Sequence, residues 1–268
     1  MTAPTTTPRE LRAWATAKLA AAGCVSAAAE AEWLLEEAPG PEALRAMVAR
    51  RVAGEPLQYV IGWAPFGRLR LAVGPGVFVP RPETETLADR AAAFLRTRPT
   101  PRIAVDLCTG SGAIACFLAA EVRGARVLAT ELDPGALAWA RVNAERHGVE
   151  VHTGDLDAPL PAELVGRVDV LCANVPYVPS GALATLPTDV RDHEPRLSLD
   201  GGPDGLDVFR RVAGRATHWL ASGGRLYAEI GEDQAEAAAA LLTASGLTEV
   251  AIHQDLVGRD RIVEGTRP

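Results

Sequence analysis

Apolar residues recur at helical spacing through the first fifty or so positions, and the period then changes. Leu11, Trp14, Ala15, Leu19 and Ala22 fall three or four apart, on one face of a helix. Thr7-Pro8-Arg9-Glu10 is a capping box with Pro at the first helical position, and Gly23 supplies a stop. Ser26 is placed to cap a second helix, which ends at Pro39-Gly40. Pro41 opens a third, with Leu44, Met47, Val48 and Val52 on one face and Gly54 after it. Three short amphipathic helices bury little alone, so residues 1–55 read as a small helical unit that packs on itself and holds a partner. Between Pro56 and Val79 the period becomes two. Leu57, Tyr59 and Ile61, then Leu69, Leu71 and Val73, alternate with other residues, and Gly and Pro punctuate them. Residues 56–80 therefore read as a connecting β-hairpin.

From Arg81 to the end, strand-like and helix-like runs alternate. Strands are expected at Ile103–Leu107, Val127–Glu131, Val151–Asp155, Val168–Asn174 and Gly224–Ile230. Helices are expected at Gly112–Glu121, Pro134–His147 and Glu232–Ser245. Alternation of this kind predicts a doubly wound, Rossmann-like α/β domain over residues 81–268.

Composition narrows the function. Hydrophobic residues make up 48% of the 268, enough for a large domain beside a small one. No apolar stretch is long enough to span a bilayer, and the first eight residues have no secretion-leader pattern. Cys24, Cys108, Cys116 and Cys172 are scattered, which argues against a zinc site or a disulfide framework and fits a reducing cytoplasm. The five histidines form no metal motif. A net charge of −7 counts against nucleic acid as the direct substrate, although a local basic patch can hide in an acidic total.

The segment Asp106-Leu-Cys108-Thr109-Gly110-Ser111-Gly112 joins a strand to a helix. Gly110 and Gly112 permit positive φ and close backbone approach to a ligand. A dinucleotide site would seat a pyrophosphate on the helix end. Here an acid, Asp106, stands at the strand end, where an anion is repelled and a cationic aminoacyl group is welcomed. That favours S-adenosylmethionine over NAD. Glu131 lies 131 − 112 = 19 residues past the last glycine, where a carboxylate takes ribose hydroxyls. Asp155, ending the next strand, is placed to accept from an adenine amino group, with Leu156 against the ring. Each acid alone would also suit a solvated strand end or a helix cap. Three at successive strand ends, the first heading a glycine-rich loop, point to one cofactor.

Asn174-Val175-Pro176-Tyr177 follows another strand, and ligands of open α/β sheets bind at strand carboxyl ends. An amide or exocyclic amino nitrogen is a poor nucleophile because its lone pair is delocalised. Catalysis then consists of holding its two N–H bonds and turning the lone pair toward a methyl donor. The Asn174 side-chain oxygen can accept one N–H and the Val175 carbonyl the other. Pro176 biases Val175 to extended backbone, and Tyr177 can stack on a planar group. The same tetrad would suit a glutamine amide or an exocyclic amino group of adenine or guanine. A plain Pro-containing turn is the structural alternative for the tetrad taken alone.

These residues resemble the HemK-type protein glutamine methyltransferases, which modify the Gly-Gly-Gln loop of peptide-chain release factors. The resemblance covers most of the chain. It runs through Gly54-Glu-Pro-Leu-Gln-Tyr-Val-Ile-Gly62 and Pro75-Gly-Val-Phe-Val-Pro-Arg-Pro-Glu-Thr-Glu85. It continues in Asp192-His-Glu-Pro195, Leu199-Asp-Gly-Gly202, Asp204-Gly-Leu206, Glu229-Ile-Gly-Glu-Asp-Gln234 and Asp255-Leu-Val-Gly-Arg-Asp-Arg261. It implies a helical domain for partner recognition, a seven-stranded methyltransferase domain, and cofactor contacts from the Cys108–Gly112 loop, Glu131, Leu156 and Asn174. The implied activity is methyl transfer from S-adenosylmethionine to a glutamine side chain of a release factor. Two departures stand out: Val175 replaces the first proline of the family's Asn-Pro-Pro-Tyr, and Cys108 replaces a glycine. Neither removes a functional group, and the alternative they leave is a paralogue with another protein substrate. Arg81 and the acids between Pro80 and Glu85 are placed to line the substrate mouth. Thr84 or Glu83 would equally serve as a cap for the helix that follows.

Overall fold

The computed structural model describes residues 7–268. Residues 1–6, most of the stretch read for a secretion-leader pattern, lie outside them. Three helices come first: α1 (Pro8–Ala21), α2 (Ala27–Glu37) and α3 (Pro41–Val52). Thr7 and Glu10 form the capping box of α1, with Thr7 N donating to Glu10 at 2.8 Å and Glu10 N to the Thr7 hydroxyl at 3.3 Å. Leu11, Ala15 and Leu19 pack against Ala31, Leu34, Leu44 and Val48 in one closed cluster. The Arg51 guanidinium donates to Glu30 at 2.7 Å and ties the end of α3 to α2. Two details differ from the sequence reading. Ser26 precedes α2 but its side chain makes no cap bond. Val52 is 42% exposed, because the buried face of α3 is carried by Leu44 and Val48 and the last turn leaves the cluster.

The connecting segment also differs from the expected hairpin over 56–80. Leu57–Ile61 is a short helix, α4, and only β1 (Trp63–Phe66) and β2 (Leu69–Ala72) pair as strands. Leu57 and Val60, three apart, are the positions that enter the helical cluster. Gly62 then ends the turn at φ 84°, its N–H donating to the Gln58 carbonyl at 2.8 Å.

The larger unit begins with α5 (Pro82–Thr97) and runs β3 (Ile103–Leu107), α6 (Ala113–Glu121), β4 (Arg126–Glu131), α7 (Pro134–His147), β5 (Glu150–Thr153) and β6 (Val168–Ala173). A loop segment carrying α8 (Thr188–Arg191) leads to α9 (Asp207–Trp219), β7 (Leu220–Glu229), α10 (Ala235–Ala244), β8 (Thr248–Gln254) and β9 (Asp260–Thr266). The strands form one seven-stranded sheet in the order β5-β4-β3-β6-β7-β9-β8. Its first five strands are parallel, and β9 runs antiparallel to β7 and β8. This is the expected Rossmann-like α/β sheet. Strands β3 and β6 are buried along their whole length, because helices cover both faces. Strand order reverses between β3 and β6, and there the carboxyl ends diverge into a crevice. No helix among the described residues is long and apolar enough to cross a membrane.

Candidate active site

The loop after β3 is shaped by three left-handed residues: Cys108 at φ 56°, Gly110 at 58° and Gly112 at 87°. Two are glycines. Cys108 holds this conformation with a side chain, which is why a glycine is the ordinary occupant. Asp106 heads the loop and is fully buried. Its Oδ2 accepts from the Thr109 hydroxyl at 2.5 Å and from the Ala115 N–H at 3.2 Å. Its Oδ1 is buried with no hydrogen-bond partner. Burial pushes the Asp106 pKa up to about 7 against the pull of those two donors, and Glu131 adds repulsion.

The loop is pinned from two sides. Thr109 N donates to the Thr130 carbonyl at 3.0 Å, and Gly110 N donates to Glu131 Oε2 at 2.8 Å. Glu131 Oε1 accepts from Leu132 N at 2.9 Å and Asp133 N at 2.8 Å. Three of the four acceptor positions of this carboxylate are thus taken by backbone, leaving one on Oε2. Desolvation raises the Glu131 pKa against these backbone donors. Asp155 lies two residues beyond β5, exposed, and accepts from Arg211 of α9 at 2.7 Å. Leu156 is buried beside it at φ 49°.

Asn174 follows β6 directly. Its Nδ2 donates to the Thr84 hydroxyl and to Glu229 Oε2, both at 3.2 Å. Val175 is 1% exposed and its side chain belongs to the core between sheet and α9. The Tyr177 hydroxyl donates to Glu229 Oε1 at 3.2 Å. Gly201 and Gly205 lie flat against this tetrad: an added Cβ would come within 2.6 Å of the Pro176 carbonyl oxygen and 2.2 Å of that of Tyr177. Gln234 completes the support, donating to the Tyr177 carbonyl at 2.9 Å and the Asp204 carbonyl at 3.1 Å.

One pocket spans these groups. Asp106, Cys108, Thr109, Gly110 and Ser111 line it from β3, and Glu131, Asp155 and Leu156 from β4 and β5. Asn174, Pro176 and Tyr177 line its other end. Gly112 and Val175 do not line it; Gly112 turns the chain into α6, and Val175 faces the core.

Sequence reasoning missed several lining residues, among them Leu132 and Leu197, and saw Phe78 only inside a resembling block. It also missed Glu229, seen only as part of a resembling block. The one available signal was a carboxylate ending the apolar strand 224–230. The Pro80–Glu85 segment divides. Pro80 and Thr84 line the main pocket, while Arg81 and Glu83 line a small cavity behind Tyr177 with Glu229 and Arg261. Arg81 pairs with the buried Glu194 at 2.5 Å, which links this segment to the Asp192–Pro195 block. Neither Thr84 nor Glu83 caps α5: the first bonds Glu229 and the second pairs with Arg259 at 2.9 Å.

Sheet order and pocket together define a methyltransferase of the Rossmann-like class. Residues 104–191 match the family model described as a methyltransferase domain. The fold is shared with a methyltransferase from Pyrococcus furiosus, with TM-score 0.55 and 18% identity over 83% of this chain and 97% of that one. A Mycolicibacterium smegmatis release factor glutamine methyltransferase is 43% identical over 94% of this chain and 95% of the relative. The same-named Geobacter sulfurreducens protein is 39% identical over 97% and 96%. The chain belongs to the release factor glutamine methyltransferase family.

Proposed function

We propose that this protein methylates the side-chain amide nitrogen of a glutamine in a peptide-chain release factor, with S-adenosylmethionine as donor. The observation that carries the reading is the Asn174 amide: its Nδ2 is engaged by Thr84 and Glu229, which leaves Oδ1 as an acceptor at the pocket. The unpartnered Asp106 Oδ1 supports the cofactor assignment, since a buried carboxylate oxygen without a donor suits a cationic amino group. Glu131, with one acceptor position left on Oε2, would take a ribose hydroxyl; Leu156 and the loop Cys108–Ser111 would enclose the rest. Asp155 is assigned to the adenine end, where Arg211 already engages it.

When bound, S-adenosylmethionine supplies an electrophilic methyl group. The chain's own residues supply position. Asn174 Oδ1 would accept one N–H bond of the glutamine amide; the Val175 carbonyl, which Pro176 holds in extended backbone but which does not line the pocket, is assigned the other. Tyr177 flanks the planar amide. Holding a weak nucleophile in line contributes up to about 7–11 kcal/mol in favourable cases, and no strong base is needed for the proton that a methylated nitrogen sheds.

The helical unit before α4 is assigned to recognition of the release factor, and the setting to the cytoplasm. The test is transfer of radiolabelled methyl from S-adenosylmethionine to a purified release factor, run beside tRNA, rRNA and DNA. Label on the protein supports the reading; label on nucleic acid alone refutes it.

A further inference from the structure

We propose that Glu229 is a positioning residue that fixes which end of the Asn174 amide faces the acceptor nitrogen. The inference rests on the glutamine-methylation reading and adds a residue to it.

The two ends of an Asn amide are nearly equal in size, so shape alone does not choose between them. The choice decides the chemistry. Oδ1 toward the acceptor receives an N–H bond; Nδ2 there would set two donors face to face.

Parallel pairing of Ala173 with Ala228 brings the next residues of β6 and β7, Asn174 and Glu229, side by side. Glu229 is 2% exposed. Its Oε2 accepts from the Thr84 hydroxyl at 2.5 Å and from Asn174 Nδ2 at 3.2 Å, and its Oε1 accepts from the Tyr177 hydroxyl at 3.2 Å. An ionised carboxylate only accepts. Thr84 spends its hydrogen on Glu229, so its oxygen can only accept from Asn174, at 3.2 Å. Both neighbours of Nδ2 are therefore acceptors, and a flipped amide would aim its oxygen at both. The same carboxylate holds the Tyr177 hydroxyl, so one buried charge sets two members of the tetrad.

Glu229 does not line the main pocket; it faces the small cavity with Arg81, Glu83, Tyr177 and Arg261. It acts through Asn174 and Tyr177, not on the substrate. Burial raises the Glu229 pKa above the ordinary carboxylate value and the nearby Glu83 adds to this, while the Thr84 and Tyr177 hydroxyls and the Arg261 guanidinium pull it back toward the charged form.

The test is steady-state kinetics on a purified release factor for Glu229→Gln, Thr84→Val, Asn174→Asp and the double variant E229Q/N174D. The affinity of each for S-adenosylhomocysteine is measured by calorimetry. E229Q keeps the shape but has one acceptor end for the three donors the carboxylate holds, and the resulting misalignment of Asn174 or Tyr177 is expected to cost about 100-fold in kcat. Its KM and S-adenosylhomocysteine affinity are expected to stay near wild type. T84V removes one acceptor from Nδ2 and is expected to lose about tenfold in kcat, the worth of one hydrogen bond. In the double variant a donor at 229 meets an acceptor at 174, so its loss is expected to be smaller than the product of the single losses. E229Q or T84V turning over at the wild-type rate, or single losses that multiply in the double, would overturn the proposal. A wild-type protein that labels no glutamine would instead sink the functional reading on which it rests.

Discussion

The Asn143 side chain donates to the Ser111 carbonyl at 2.8 Å, across α7 to the loop that carries Asp106. The same amide brackets Ala72, accepting from its N–H at 2.8 Å and donating to its carbonyl at 2.9 Å. One residue, 1% exposed, thus joins the β1–β2 hairpin, α7 and the cofactor loop. Asn143→Ala would leave three backbone groups without partners, each costing about 1–3 kcal/mol when buried. The expected result is a clear fall in denaturant midpoint together with weaker S-adenosylhomocysteine binding. Calorimetry and a urea titration on one preparation read both, and binding at wild-type affinity would separate the hairpin from the cofactor loop.

Asp106 gives a pH dependence of definite sign. Its pKa in the fold is raised from 3.8 to about 7, so its stabilising contribution is full below 3.8 and lost as the pH climbs to about 7. Above that, the ligand-free fold carries a buried anion, and a cationic amino group relieves it. S-adenosylhomocysteine affinity should therefore increase with pH up to about 7 and then level off, with a proton released on binding along the rising limb and the release fading as the pH passes about 7. Titrations in two buffers of different ionisation enthalpy measure that proton. Asp106→Asn should bind weakly and lose this slope; a slope that persists in the variant would assign it to another group.

Cys108 carries a left-handed backbone, and burial pushes its thiol pKa up, so it stands as a tolerated substitute for glycine and not as a nucleophile. Cys108→Gly should retain turnover and stay within about 1 kcal/mol of wild-type stability, relief of strain offsetting lost burial and chain entropy. Cys108→Val should lose cofactor affinity, because a β-branched residue is poorly accommodated at positive φ. Thermal melts and calorimetry on the pair decide it, and loss of turnover in the glycine variant would give the thiol a role it is denied here.

Asn174→Ala should abolish turnover while leaving S-adenosylhomocysteine affinity largely intact, because Asp106 and Glu131 remain. Equal loss of both would move Asn174 from the acceptor to the cofactor.

What the sequence revealed follows from how local each feature is. Asp106–Gly112 and Asn174–Tyr177 are contiguous, so strand-end chemistry could be read along the chain. The alternating elements were legible for the same reason, since buried faces repeat at periods of two or 3.6. Glu229 was not, because it meets Asn174 across 55 residues only when β6 and β7 pair in parallel register. Thr84 looked like a cap because caps are local, while its actual partner is 145 residues away. The segment Leu57–Ile61 misled for a different reason. Five residues with apolar positions at one, three and five also hold a pair at one and four, and Leu57 with Val60 is the pair that packs.

The most direct measurement is tandem mass spectrometry of a release factor incubated with S-adenosylmethionine and either this protein or its Asn174→Ala variant. One added methyl is expected on the glutamine of the Gly-Gly-Gln loop with the wild-type protein and none with the variant. An unmodified glutamine after wild-type incubation, or a methyl elsewhere on the factor, would contradict it.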